Sequence, residues 1–450
     1  MDDVYRYIDE NAPRFLDELK VLLRIPSIAT DSEAVARVSS ALKDHLDRVG
    51  MPSELMESTG NPMVVGQKPG AEGAPRVLLY GHYDVMPAGK RELWESEPFE
   101  PTERDGRIYC RGVGDNKAQH FAHIKALEAL QACGVETPPL KIVLEGEEET
   151  GSESLPGFVK DHRELLAAEL CYAADGPRHE SNRPTVYLGC RGVLGLELYV
   201  EGIGRDVHSG NRGNIVPNPA WKLVHVLASM RDAKGRVTIE GFEDDVIPAT
   251  NAERALLSEL PYDGPRMAAD LGVPELAGLA PADYYERLMF KPTLTINGLV
   301  GGYQGEGGMT VIPGRCSVKM DIRMVVNQDP ERMVALVRRH LDKQGFGDVK
   351  IEVHDAMKPS RTNLENRYAD TIVGAVREAS GEEPVVWPSL GGSIPQYAFV
   401  EGLGTPCIWS AYANWDEANH APNENVHIHL FIQAVKMSAN VFNRLRETRA

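Results

Sequence analysis

From about residue 12 the apolar positions of APRFLDELKVLLRIP recur at helical spacing and stop before Pro26, and a second such stretch over 33–49 ends at Gly50. A 3.6-residue apolar period closed by proline or glycine predicts two helices. The texture then alternates. RVLLYGHYD predicts a buried strand, KAQHFAHIKALEALQACG a helix closed by Gly134, LKIVLEG a strand, FVKDHRELL a helix and AELCYAADG another strand. Strands that alternate with helices build βαβ units and a mostly parallel sheet, so the fold class is α/β.

Near residue 187 the pattern changes to one long alternating strand, VYLGCRGVLGLELYVEG, then a helix in NPAWKLVHVLASM, strands in TLTINGLVG and RCSVKMDIRMVV, a helix in PERMVALVRRHLDKQG and a strand in KIEVHDA. This is the signature of an antiparallel α+β unit. The stretch 232–290 is rich in Pro, Asp and Ala and shows no assignable period. After about 358 the α/β texture returns in RYADTIVGAVREAS, TPCIWS and HLFIQAVKMSANVFNRLRE. The reading is a larger domain over 1–186 and 358–450 with a smaller domain, 187–357, inserted in it. At roughly 150 residues per domain, two or three units suit a chain of 450 residues.

Composition narrows the partners. Hydrophobic residues at 42% and charged residues at 25% describe a globular protein. A net charge of −18 disfavours nucleic acids and anionic membranes, which reward basic patches, and leaves small molecules. The acidic, amphipathic start lacks a secretory pattern, and no run nears the roughly 18 apolar residues of a membrane span, so a cytoplasmic location is expected. Six scattered cysteines without a CxxC pair point to free thiols, neither a disulfide framework nor a thiolate zinc site.

The chemistry gathers at strand ends. RVLLY runs into His82 and Asp84, LKIVL into LEGEEETGSES with Glu145, Glu147, Glu148 and Glu149, and ELCYAA into Asp175. In open α/β sheets the carboxyl ends of strands form the ligand crevice. Asp115, where RGVGDNKAQ enters a helix, and His420, in ANWDEANHAPNEN, are further contributors. Singly, each is ordinary: a solvated acidic turn, a surface HxD pair, an aspartate at a helix start, a loop histidine. Together they form an oxygen and nitrogen donor set suited to Zn²⁺, Mn²⁺ or Co²⁺. Two divalent ions carry four positive charges, and Asp115, Glu149, Asp175 and one hydroxide carry four negative ones, so a two-metal centre is neutral. Asp84, two residues from His82 on an extended segment, shares its face and can accept the other ring N–H of a metal-bound His82.

GHYDVMPAG, LWESEPFEPTERDGRIYCRGVGDNKAQ, EGEEETGS, ADGP and HAPNE occur in the order found in the M20 metallopeptidases, and the chain resembles that family over nearly its whole length, most of all the dipeptidase branch related to carnosine dipeptidase. The resemblance implies a dimetal catalytic domain and an inserted lid that dimerises. It implies that His82, Asp115 and Asp175 hold one metal and Asp115, Glu149 and His420 the other, with Zn²⁺ or Mn²⁺ as the ions. Glu148 then aligns as general base for a water between the metals. His208 in RDVHSG would reach the partner subunit's site and bind the reacting carbonyl, while Thr310, Arg323 and Ser393 contact the substrate, Arg323 holding its free carboxylate. The implied function is cleavage of dipeptides by a homodimer. Carboxypeptidase or N-acyl amino acid deacylase activity is the alternative on the same scaffold, although an aspartate at 175 accompanies dipeptidase and aminopeptidase activity in the family. A non-catalytic binding protein is the alternative from another class. GGYQGEGG, lacking a GKS/T ending, reads as a loop, and no GxSxG elbow suggests a serine nucleophile.

Overall fold

A computed structural model describes residues 1–276 and 278–449. Its two larger sheets are built from strands β1 (Ser53–Met56), β2 (Met63–Lys68), β3 (Val77–His82), β4 (Leu140–Glu145), β5 (Leu170–Ala173), β6 (Thr185–Tyr187), β7 (Gly192–Glu201), β8 (Thr293–Val300), β9 (Arg315–Met324), β10 (Lys350–Met357), β11 (Val385–Trp387) and β12 (Cys407–Ala411). The large sheet has the order β1-β2-β4-β3-β5-β12-β6-β11. Its centre, β4-β3-β5-β12, is parallel throughout, and the edge strands β1 and β2 are antiparallel.

Strand alternation divides the side chains between two helical layers. Leu79, Ile142, Leu144, Leu170, Tyr172 and Ile408 face a core shared with helices Asp2–Leu23, Ser32–Arg48, Ala118–Ala132, Arg367–Ser380 and Ile428–Glu447. Leu78, Tyr80, Val143, Cys171, Ala173 and Trp409 face a second core under helices Leu155–Asp161 and Gln396–Leu403. A period of two with both faces apolar is what a doubly covered sheet requires.

The smaller sheet, β8-β9-β7-β10, is antiparallel. Leu194, Leu196, Leu198, Val318, Met320 and Ile322 pack on helices Pro219–Met230 and Pro330–Lys343, so the alternate residues Asp321 and Arg323 project from the face without helices. The α/β domain with an inserted α+β domain is therefore the observed architecture. No described helix is long and apolar enough to cross a membrane.

Four expectations change in detail. The first helix begins at Asp2 and runs through Pro13, because Val4, Ile8, Phe15 and Leu19 form one continuous buried stripe. FVKDHRELL belongs to two short helices, Leu155–Asp161 and Arg163–Leu166, interrupted at His162. The single long strand expected from residue 187 is three. β6 stays in the large sheet, Gly189–Cys190 pairs with Ser360–Arg361, and only β7 enters the small one. Glycines at 189 and 192 permit this crossing, since a Cβ at either would lie 2.5 Å from the carbonyl oxygen of Ser360 or Met357. The unassigned 232–290 stretch contains helices Asn251–Glu259, Gly264–Asp270 and Pro281–Phe290, the first and last of which cover Val385 and Trp387 at the sheet edge.

Candidate metal centre

Because β4, β3, β5 and β12 are neighbouring and parallel, the segments that follow them leave the sheet on one side. β3 delivers His82 and Asp84, β4 leads to Glu148 and Glu149, β5 to Asp175 and β12 to the loop of His420. Asp115 comes from the turn Val113–Lys117 that starts the crossover helix between β3 and β4.

The side chains meet in two groups of three, His82 with Asp115 and Asp175, and Asp115 with Glu149 and His420, the donor atoms within each group lying within 4.8 Å of one another. His82 Nε2 is 3.0 Å from Asp115 Oδ1 and 3.7 Å from Asp175 Oδ2, and His420 Nε2 is 3.2 Å from Asp115 Oδ2 and 3.0 Å from Glu149 Oε2. Each Asp115 oxygen thus faces a different imidazole, the geometry of a shared carboxylate. The other His82 nitrogen, Nδ1, is 3.1 Å from the Asp84 carbonyl oxygen and 3.4 Å from its Oδ1. Asp84 is fully buried and also accepts the backbone N–H groups of Glu148 and Glu149, at 3.2 and 3.0 Å, so it orients both the ring and the acidic turn.

Burial of so many acids has electrostatic consequences. Burial raises the Asp175 carboxyl to about 6 and the Glu149 carboxyl to about 7, with the charge of Asp115 adding to both. Burial likewise pushes Glu148 well up, against the pull of His82. Asp115 goes the other way: burial disfavours its charge, yet hydrogen bonds from His420 and His82 hold it well below the usual range. His420 rises to about 10 through its bonds to Asp115 and Glu149. Burial would lower His82, but Asp115 and Asp84 outweigh it and push it up. Three buried acids crowded around two imidazoles lack a compensating cation of their own, and ionised carboxylates with neutral imidazoles form an oxygen and nitrogen donor set that fits divalent cations.

Glu147 is engaged elsewhere, accepting the Asn61 backbone N–H at 3.2 Å and the Ser154 hydroxyl. Glu148 makes no side-chain hydrogen bond among the described residues, which leaves its carboxylate free beside both groups. On the inserted domain Arg323 Nη1 donates to Ser393 Oγ at 2.9 Å, so these two expected substrate contacts meet. His208 and Thr310 meet each other, His208 Nε2 to Thr310 Oγ1 at 3.1 Å, on an exposed edge. No hydrogen bond or ion pair joins either one to the metal groups among the described residues of the chain.

The sequence reading missed Glu424. This fully buried carboxylate accepts the backbone N–H groups of Gly112 (2.9 Å), Gly114 (2.9 Å) and Asp115 (3.1 Å), and the Arg111 guanidinium (2.8 Å). It holds the loop from which Asp115 projects. Its place in HAPNE, four residues after His420, was the available signal. Replacing Glu424 with glutamine puts an amide N–H₂ among donors and is expected to weaken divalent-metal binding by about 10–100-fold. Metal titration of the apoprotein followed by calorimetry reads this, and wild-type affinity in the variant would separate Glu424 from the centre.

The profile of peptidase family M20/M25/M40 matches residues 78–444, and the chain belongs to that family of metallopeptidases. It is 28% identical to the Cys-Gly metallodipeptidase DUG1 of Saccharomyces cerevisiae, covering 98% of this chain and 97% of that protein, and 26% identical to the Beta-Ala-His dipeptidase of Homo sapiens, covering 98% and 92%. Among solved structures, the M20 family metallo-carboxypeptidase Sso-CP2 from Sulfolobus solfataricus superimposes with a TM-score of 0.90 at 30% identity, covering 96% of this chain and 99% of that one.

Proposed function

We propose that this protein is a dipeptidase whose centre holds two divalent cations, Zn²⁺ or Mn²⁺, one on His82, Asp115 and Asp175 and the other on Asp115, Glu149 and His420. The observation that carries the reading is the sharing of Asp115 between two complete donor groups beside a free Glu148. Near full-length likeness to dipeptidases supports the substrate class. When bound, the cations would polarise the peptide carbonyl and acidify the attacking water. Glu148 accepts that water's proton and delivers it to the leaving amine, and Asp84 keeps Glu148 in place through the backbone. Arg323 and Ser393 hold the substrate's free carboxylate and Thr310 a neighbouring polar group.

The chain leaves the larger domain just past the expected 186/187 division, between β6 and β7, and returns at 357/358, and two chains associate through the inserted domain so that His208 of one serves the other. Exposed apolar side chains on that domain, Ile215 at 70% and Trp221 at 65%, supply a surface for such a contact. A cytoplasmic location suits six free thiols.

The likeness to Sso-CP2 favours a second reading, release of C-terminal residues from longer peptides or acyl groups. Kinetics of the Zn²⁺- and Mn²⁺-reconstituted enzyme on dipeptides, tripeptides and N-acyl amino acids decides between them. Dipeptides are expected to have at least about tenfold higher kcat/KM; preference for longer or N-acylated substrates would establish the second reading.

A further inference from the structure

The inserted domain carries a cleft at the start of β8 whose charge the metal centre does not use. Its volume is about 810 Å³, and it is lined by Arg231, Lys234 and Arg236 from the turn after helix Pro219–Met230 and by Arg287 and Lys291 from the end of helix Pro281–Phe290. Two acids stand among these cations. Asp232 pairs with Arg236 at 2.7 Å and Glu243 faces Lys291 at 4.0 Å, while Arg231, Lys234 and Arg287 form no ion pair among the described residues. Five cations less two acids leave three positive charges in one concavity, on a chain whose net charge is −18. A concave wall of low dielectric focuses the potential of such a local reversal of charge.

The turn that carries three of the cations is built rather than loose. Asp232 Oδ1 accepts the backbone N–H groups of Lys234 and Arg236, each at 2.9 Å, and the Asp232 N–H donates to the Arg236 carbonyl oxygen at 2.9 Å. The Arg231 guanidinium donates through Nε (3.0 Å) and Nη2 (2.7 Å) to the Gly235 carbonyl oxygen, which fixes it across the turn. The other wall includes the first residues of β8, an edge strand of the small sheet. There Thr293 Oγ1 accepts the Arg323 backbone N–H at 3.3 Å, so its own hydroxyl proton is left for a further acceptor. No aromatic ring among the described residues lines the cleft, which therefore offers a nucleobase no stacking surface; its guanidinium, ammonium and hydroxyl donors match oxyanions.

We propose that this cleft binds a compact polyanion, with about three negative charges carried on tetrahedral oxyanion groups of the pyrophosphate or trisulfonate kind, at a site separate from the metal centre. Such binding is independent of which peptide bond the enzyme cleaves.

Calorimetry of the metal-loaded enzyme with benzenetrisulfonate is the test, because sulfonates are poor ligands for divalent cations and leave the centre silent. Wild type is expected to bind one trianion per chain with Kd below about 1 mM at low ionic strength. Arg287→Gln/Lys291→Gln removes two cations from one side of the cleft and should weaken binding at least about tenfold. Lys343→Gln/Lys350→Gln removes two exposed cations of the same domain outside the cleft, changes the net charge equally, and should leave the affinity within about twofold. Should the cleft variant fail to fold, Lys234→Gln in the turn is judged against the same control, with a loss of at least about threefold expected. Absence of binding by wild type, wild-type affinity in the cleft variant, or an equal loss in the control variant each overturns the proposal, the last by showing a response to overall charge alone.

Discussion

Glu148→Ala is expected to reduce kcat by about 10²–10⁴-fold while the protein still binds two divalent ions per chain. The expectation follows from the division of labour in the acidic turn. Glu149 faces His420 at 3.0 Å and completes a donor group, Glu147 is tied to Asn61 and Ser154, and Glu148 alone presents an unbonded carboxylate to the cluster. Removing it takes away the proposed proton acceptor and leaves all five donors of the two groups in place. Metal content by plasma emission spectroscopy, paired with turnover on the preferred dipeptide, reads both halves of the prediction. Should Glu147→Ala be the inactive variant and Glu148→Ala retain turnover, the base has been misassigned by one residue.

His208→Ala is expected to lower kcat by about 10²–10³-fold without loss of metal, the effect of deleting one donor to a developing oxyanion. Within one chain His208 is bonded to Thr310 at an exposed edge, and among the described residues no hydrogen bond or ion pair joins it to the metal groups, so the proposed role is one played across a dimer. Mixing His208→Ala with Glu148→Ala chains should therefore restore part of the activity. In a mixed dimer, one site combines an intact Glu148 with an intact His208 from its neighbour. Subunit exchange is verified first by pulldown with two different tags. Exchange without recovered turnover would falsify the trans role of His208.

His82, Glu149 and Asp175 were legible in the sequence because each closes or shortly follows an apolar strand, where a charged residue has few reasons to be; Asp115, at a helix entry, and His420, in a polar loop, stood out only beside them. The parallel centre was legible for the same reason, since LKIVL and RVLLY are apolar on both faces. What stayed hidden depends on distant partners. Glu424 acts on residues 309 to 313 positions earlier in the chain, and its surroundings, Asn and Pro in a loop, carry no period. The change of sheet between β6 and β7 lies within a stretch whose alternation suggests one strand; only the glycines at 189 and 192 betray it. The helices of 232–290 are short and flanked by proline, with too few turns for their buried Leu257, Tyr285 and Met289 to establish a stripe.

The order in which the donors occur along the chain also governs when the centre can exist during synthesis. By the time residue 175 has left the ribosome, His82, Asp115 and Asp175 are all available, yet the second group lacks its imidazole and the Asp115 loop lacks its Glu424 anchor. Both arrive on the segment after β12, once the whole inserted domain has been made. Until then only the first donor group is complete, and the second, together with the anchored Asp115 loop, forms when the late C-terminal segment folds back across the sheet.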